Sequence, residues 1–338
     1  MRLSIQLKRT GRAAQIAEEA ARLESAGVDI IWVTESYGFD SPTLLAYLAA
    51  RTSRVQLGFG IMSVFSRTAT LIAQTAAGLD DVSGGRCLLG LGASGPQVVE
   101  GWHGIPYRRP VARTRAVAEI ARAAWRREPV VHHGIIDIPL RADQGRALKM
   151  INSPLRPAIP VYVAALGEAN VAMAAEIADG WLSYLFLPER ADDVWGPMIA
   201  SGTQKRSAEL GPLDIVAGGL AAIGDDAAAA MAAARARTAL YVGGMGPRAG
   251  NFFNELACRL GFEREAALIQ DLFLSGRKDE AAAAVPRELV EKTNLIGSPG
   301  FVRDRVRAYQ ATGVGTLDVT PADGVDPVAT IAQIREWI

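Results

Sequence analysis

The stretch LLGLGASGPQVVEGWHG, Leu88–Gly104, carries the spacing G-x-G-x-x-G in Gly90, Gly92 and Gly95. A dinucleotide-binding turn uses that spacing with a helix opening inside it, so that the first backbone N–H groups of the helix meet a pyrophosphate. Here Gly95 is followed by Pro96, and Gly101, Gly104, Pro106 and Pro110 punctuate the segment after it. The pattern predicts no helix before about Arg113. The next strand-like segment, VVHHGII, also lacks the acidic residue that a ribose would need. The glycines therefore read as the end of a strand followed by a small-residue loop. Ala93, Ser94 and Gly95 would let backbone approach a flat ring or a phosphate, or would simply make a tight turn.

Outward from this stretch, short apolar runs alternate with longer helical patterns. LSIQL (3–7), VDIIWVT (28–34), RVQLGFGIM (54–62) and RCLLGLG (86–92) read as strands, each followed by an amphipathic segment. The second helix, SPTLLAYLAART, starts with a serine cap and a proline in its first turn. The order continues with IPVYVAAL (159–166), WLSYLFL (181–187), DIVAGGLAAIG (214–224) and GTLDVT (315–320), and closes on the helix DPVATIAQIREWI. About eight βα units with nearly continuous apolar strands predict a (β/α)8 TIM barrel rather than an open doubly wound sheet. Two insertions are expected: a small hairpin, PVVHHGIIDIPL (129–140), after the fourth helix, and a helical block over 225–312 between strands seven and eight. No linker or low-complexity tract divides residues 1–338, which read as one domain.

Composition narrows the function. With 338 residues, 49% of them hydrophobic, the chain can bury a large core, and its zero net charge leaves no footprint for nucleic acid. Charges and turn residues interrupt every apolar run before it could span a bilayer, and the N-terminus has no extended apolar segment, so a cytoplasmic protein is expected. Cys87 and Cys258 stand in unrelated contexts, and with three histidines they make no metal-ligand spacing. They read as packed or free thiols, and no metal is expected.

Several segments together resemble the bacterial luciferase-like monooxygenase superfamily, and within it the branch that uses the deazaflavin coenzyme F420. They are WVTES (32–36), LGFGIMSVFSRT (57–68), GRCLLGLGASGPQVVEGWHGIPYRRP (85–110), IPVYVAALGEANVAMAAEIADGW (159–181) and YVGGMG (241–246). The resemblance implies a (β/α)8 barrel with a flavin or deazaflavin across its carboxyl-end mouth. It implies a non-proline cis peptide between Gly60 and Ile61, in a bulge that supports the ring. Glu35, which closes strand two, would lie by the deazaflavin. The loops Ala93–Gly95 and Ala164, Ala165, Leu166, Gly167 would offer backbone N–H groups to its ring or tail. Relatives commonly pair, so a homodimer is expected.

The chain also departs from the sugar-phosphate dehydrogenases of that branch. Ser36 stands where they carry a histidine, and the apolar SYLFLPER (183–190) stands where they carry a lysine, which speaks against an anionic sugar substrate. The apolar run suggests a hydrophobic substrate pocket, or core packing.

A deazaflavin exchanges a hydride at C5, so the protein must place a substrate there and manage a proton. Glu35, Ser36, Tyr37 and His103 are the candidates for that proton, and His132 and His133 are expected to be solvated. Arg67 would meet an anionic group or form an ion pair. A phosphate site is expected in GGMGPRAGNFF (243–253), with Arg248 and the backbone of Gly243 and Gly244. The expected activity is F420-dependent hydride transfer to or from a small organic substrate. The alternative is an FMN-dependent monooxygenase that uses molecular oxygen.

Overall fold

Eight parallel strands close into a barrel in this computed structural model, which describes all residues except Thr10, Ala142 and Gln144. In chain order the strands are β1 (Arg2–Gln6), β2 (Ile30–Val33), β3 (Gln56–Phe59), its continuation β4 (Met62–Ser63), β5 (Cys87–Gly92), β6 (Val161–Ala164), β7 (Gly180–Leu182), β8 (Asp214–Ile223), a short β9 (Leu295–Gly297) and β10 (Val314–Pro321). The circle runs β1-β2-β3-β5-β6-β7-β8-β10 and returns to β1, all pairs parallel. The expected (β/α)8 barrel is thus the observed fold, with β4 and β9 added to its rim.

Period-two alternation sends one face of each strand inward. Arg2, Tyr162 and Asp214 meet in the lower barrel, where the Arg2 guanidinium donates to the Tyr162 hydroxyl at 2.6 Å and pairs with Asp214 at 2.5 Å. Above them the buried side chains of Ile30, Trp32, Leu88, Tyr162 and Val216 fill the barrel as a separate apolar layer. Two glycines make that layer fit. A Cβ on Gly58 would stand 2.1 Å from the Trp32 ring, and one on Gly180 would stand 2.1 Å from the Tyr162 ring. Helices cover the outside and form the main core with the outward faces of the strands.

Several local expectations change. The helix Ser41–Ala49 is capped by Asp40, whose carboxylate accepts from the Thr43 N–H at 3.0 Å, while Ser41 is its first residue. A short helix, Pro96–Gly101, begins directly after Gly95, and the next, Pro110–Trp125, begins before Arg113. Proline has no N–H to lose at a first helical position, so Pro96 starts a helix instead of breaking one. The glycine triplet still belongs to a barrel, because β5 pairs with β3, β4 and β6 in a closed sheet. The expected hairpin at 129–140 reduces to one antiparallel bridge, His132 with Ile138.

The block between β8 and β10 is helical, as expected, from the helix Ala228–Ala239 to the helix Arg287–Thr293, with a π-helical turn at Leu240–Gly244. It also contributes β9, which extends the barrel edge beside Ala221–Ile223. Among the described residues, no helix is long and apolar enough to cross a membrane. Neither cysteine is in a disulfide.

Candidate active site

The site begins with a mismatch between two strands. Pairing steps from Gly58 opposite Leu88 to Met62 opposite Leu91, so β3 and β4 spend one residue more than β5 over the same span. The extra residue is taken up at Phe59–Ile61, where the Gly60–Ile61 peptide is cis, at the bond the resemblance implied. Gly90 and Gly92 of the opening motif answer this bulge. A Cβ on Gly90 would lie 1.8 Å from the Phe59 carbonyl oxygen, and one on Gly92 would lie 2.2 Å from the Ile61 side chain. Their lack of a side chain serves the neighbouring strand, and Gly95 caps the short helix.

Above this bulge the barrel mouth opens into a cavity of about 770 Å³. Glu35, Ser36, Gly60, Ile61, Ala93, Ser94, Gly95, His103, Ala164, Ala165, Leu166 and Gly167 all line it, so the segments after β2, β3, β5 and β6 converge on one space. Ser36, Ser94 and Leu185, all on its wall, hold φ near +50 to +60°, a backbone region that side chains seldom occupy. Residues fixed in such conformations cluster at binding sites.

Glu35 is committed to its neighbours. Its carboxylate accepts from Arg67 at 2.6 Å and from the Ser41 hydroxyl at 2.6 Å, and both charged side chains are largely buried. Arg67 thereby forms the ion pair that was one of its two expected roles. His103 lies on the cavity wall with no hydrogen-bond partner for its ring among the described residues. Tyr37, the other expected proton donor, is exposed and is not among the lining residues. His132 is half-buried beside the Ile136 carbonyl, with Glu119 3.8 Å away, whereas His133 is exposed.

The residues expected to form a phosphate site do not line this cavity. Gly243 and Gly244 pack against Phe273, whose atoms would stand 2.5 and 2.2 Å from added Cβ atoms, and neither glycine lines the cavity. Arg248 is exposed and paired with Asp271. Close helix packing accounts for the glycines, and an acidic neighbour for the arginine.

The far wall carries residues that the sequence reading did not single out. Tyr184, Tyr241 and Phe253 form a ring cluster with centroids 4.6 to 5.2 Å apart, and the Arg237 guanidinium lies 5.9 and 6.0 Å from the two tyrosine centroids. In SYLFLPER, Tyr184 and Leu185 line the cavity while Phe186 packs in the core against Trp181 and Tyr309.

Asp318 of β10 lines the cavity beside Gln6, held by the Ser4 hydroxyl at 2.6 Å and the Gln6 amide at 3.1 Å. Burial pushes its carboxyl up to about 6, against the two hydrogen bonds and the Arg237 charge, which pull it down. A lone aspartate inside an apolar strand near its carboxyl end was the available signal. Among the described residues, no group of three or more His, Cys, Asp or Glu is placed to hold a metal.

Comparison with known proteins agrees with this geometry. Residues 1–316 match the family described as luciferase-like monooxygenase. A Mycobacterium tuberculosis protein, Rv3520c, described provisionally as a coenzyme F420-dependent oxidoreductase, is 40% identical over 94% of this chain and 93% of its own. The 5,10-methylenetetrahydromethanopterin reductase of Archaeoglobus fulgidus is 28% identical over 93% and 92%. The solved coenzyme F420-dependent tetrahydromethanopterin reductase of Methanopyrus kandleri superposes with a TM-score of 0.82 at 24% identity, covering all of this chain and 98% of its own. The chain belongs to the luciferase-like monooxygenase family.

Proposed function

We propose that this member of the luciferase-like family is a coenzyme F420-dependent oxidoreductase that moves a hydride between the deazaflavin and a small organic substrate. The observation that carries the reading is the convergence of four strand-end loops on one cavity above the Gly60–Ile61 bulge. The 40% identical relative supports the deazaflavin over other flavins.

The residues present fit such a group. Gly60, Ile61 and the Ala93–Gly95 loop give a wall of backbone and small side chains, which a flat ring requires. Two lining residues, Trp32 and Asn170, each keep a buried polar atom, the indole N–H and the amide oxygen, with no partner among the described residues. A polar ligand would satisfy them. The helix Glu168–Ile177 opens onto the cavity with Gly167 at its cap and no side chain bonding its first N–H groups, a place suited to the anionic tail. Glu35 and Arg67 would brace the wall by the ring without moving a proton, because each already holds the other.

When bound, the deazaflavin supplies a hydride donor or acceptor at C5. The remaining wall, with Tyr184, Leu185, Leu220, Tyr241 and Phe253, supplies apolar area to seat a substrate and exclude water.

The experiment is a titration of the purified protein with F420 and, separately, with FMN, followed by turnover of reduced and oxidised F420 with a panel of enones, imines, ketones and secondary alcohols. Saturable quenching of the deazaflavin fluorescence together with turnover of a panel member is expected. Binding of FMN alone, with oxygen consumed by the reduced FMN complex, would overturn the reading in favour of a monooxygenase.

A further inference from the structure

We propose that Asp318 is a catalytic residue that exchanges a proton with an oxygen or nitrogen atom of the substrate, with Arg237 as its positioning residue. The inference rests on the oxidoreductase reading and deepens it: the substrate class is a carbonyl or imine, or the corresponding alcohol or amine.

Of the three carboxylates on the cavity wall, Glu35 is occupied by Arg67 and Ser41, and Glu168 is exposed to solvent in the first turn of its helix. Asp318 is in no ion pair, and neither is Arg237, among the described residues, although both line the same cavity. The register puts Asp318 opposite Ser4 on β1 and Gly218 on β8. A Cβ at Gly218 would stand 1.9 Å from the Asp318 carbonyl oxygen, so the strands are tightly seated at this rung and the carboxyl group is held in place.

The hydrogen bonds leave the group its chemistry. Ser4 and Gln6 each donate to a different carboxylate oxygen, and each oxygen keeps a further lone pair that can carry a proton. The charged groups that face this position are few. Arg237 comes from the helix Ala228–Ala239, with the Tyr184 and Tyr241 rings around it, and Arg2 and Asp214 are paired with each other beside Thr316, two residues back along β10. Burial raises the Asp318 carboxyl to about 6, which keeps a protonated fraction close to neutral pH.

Reduction of a C=O or C=N bond needs a hydride at carbon and a proton at the heteroatom. The reduced deazaflavin is the two-electron donor. As the π pair moves onto the heteroatom, the Asp318 O–H bond breaks and its proton forms the new O–H or N–H bond. The resulting carboxylate is already bonded by Ser4 and Gln6 and faces Arg237, and it regains a proton from water. Oxidation runs the same transfer backwards, with the carboxylate as base.

The test uses Asp318→Asn, Asp318→Glu and Arg237→Met in the full chain, with F420 titration, turnover of the panel compounds and a ¹³C-aspartate NMR titration of the protein alone. Asp318→Asn is expected to bind F420 with unchanged affinity, to lose roughly 10²–10⁴-fold in kcat and to lose the pH limb near 6, while Asp318→Glu recovers part of the rate. Arg237→Met is expected to move that limb and the ¹³C titration upward, because removing a cation disfavours the carboxylate. An Asp318→Asn protein within a few-fold of the parent, or an Asp318 carboxyl that titrates in the ordinary aspartate range, would overturn the assignment. A parent protein that binds F420 and turns over no panel compound would overturn the oxidoreductase reading, and this assignment with it.

Discussion

Gly90 faces the carbonyl oxygen of Phe59 so closely that a Cβ on it would stand 1.8 Å away. The oxygen belongs to the residue just before the cis peptide, so the strand that bulges and the strand that makes room for it are matched residue by residue. A motif that looks like a phosphate loop is thus half of a backbone contact that shapes the cavity floor.

Substitution of Gly90 by alanine drives a methyl group into main chain that cannot retreat as a side chain could. Gly90→Ala is expected to cost more than about 3 kcal/mol, at the upper end of overpacking effects or beyond. Gly101, which has nothing within 4 Å of an added Cβ, is the control, and Gly101→Ala is expected to stay within about 0.5 kcal/mol. Urea unfolding of the two variants measures the contrast. Equal stability would mean that β3 relaxes to accept the methyl.

The Glu35–Arg67 pair stands at the cavity wall, with side chains 12% and 16% exposed. Removing one partner leaves the other charge largely buried and unpaired, so Glu35→Ala is expected to lose about 3 kcal/mol. Glu35→Ala combined with Arg67→Met is expected to lose clearly less than the sum of the two single changes. A double-mutant cycle by denaturant unfolding reads the coupling. Additive losses would show that the pair behaves as a solvated surface contact.

How much of this was legible in the sequence depends on whether a signal is local. The eight strand–helix units could be read because each apolar run and its helical partner adjoin in the chain. The Gly60–Ile61 bulge and the loops at Ala93–Gly95 and Ala164–Gly167 were reached through ordered resemblance over most of the chain. Gly243 and Gly244 were misread because their partner, Phe273, comes from a helix well downstream, and a glycine pair looks the same whether it packs or binds. Asp318 was missed for a related reason: whether a strand aspartate points inward depends on register with β1 and β8, which appears only once the barrel closes. Pro96 was read as a helix breaker when its position made it a helix start.

The cap of the second helix gives a smaller test of local reading. Asp40, not Ser41, accepts the Thr43 N–H, while Ser41 is turned to Glu35. Asp40→Ala is expected to cost about 1 kcal/mol by thermal unfolding, the usual loss for a cap, with the cavity wall left intact. Ser41→Ala is expected to spare the cap but to weaken the hold on Glu35, and so to lower cofactor affinity more than Asp40→Ala does. If Asp40→Ala lowers affinity more, the two roles are assigned the wrong way round.

Asp318 also makes stability depend on pH in a direction that can be worked out. Its carboxyl is pushed up to about 6 in the folded chain by burial, against an unfolded value of roughly 3.9. The folded state therefore holds the proton more tightly, and the contribution to stability is complete below about pH 4 and lost as pH rises through 6. Above that, the parent carries the cost of an ionised carboxylate in the cavity wall, at most about 3 kcal/mol for a shift of two units. Asp318→Asn carries no such charge. The melting temperature of Asp318→Asn minus that of the parent is expected to rise between about pH 4 and 6.5 and then level off. A difference that stays flat across that range, or falls with pH, would mean that the folded carboxyl is not raised and that Ser4, Gln6 and Arg237 outweigh its burial.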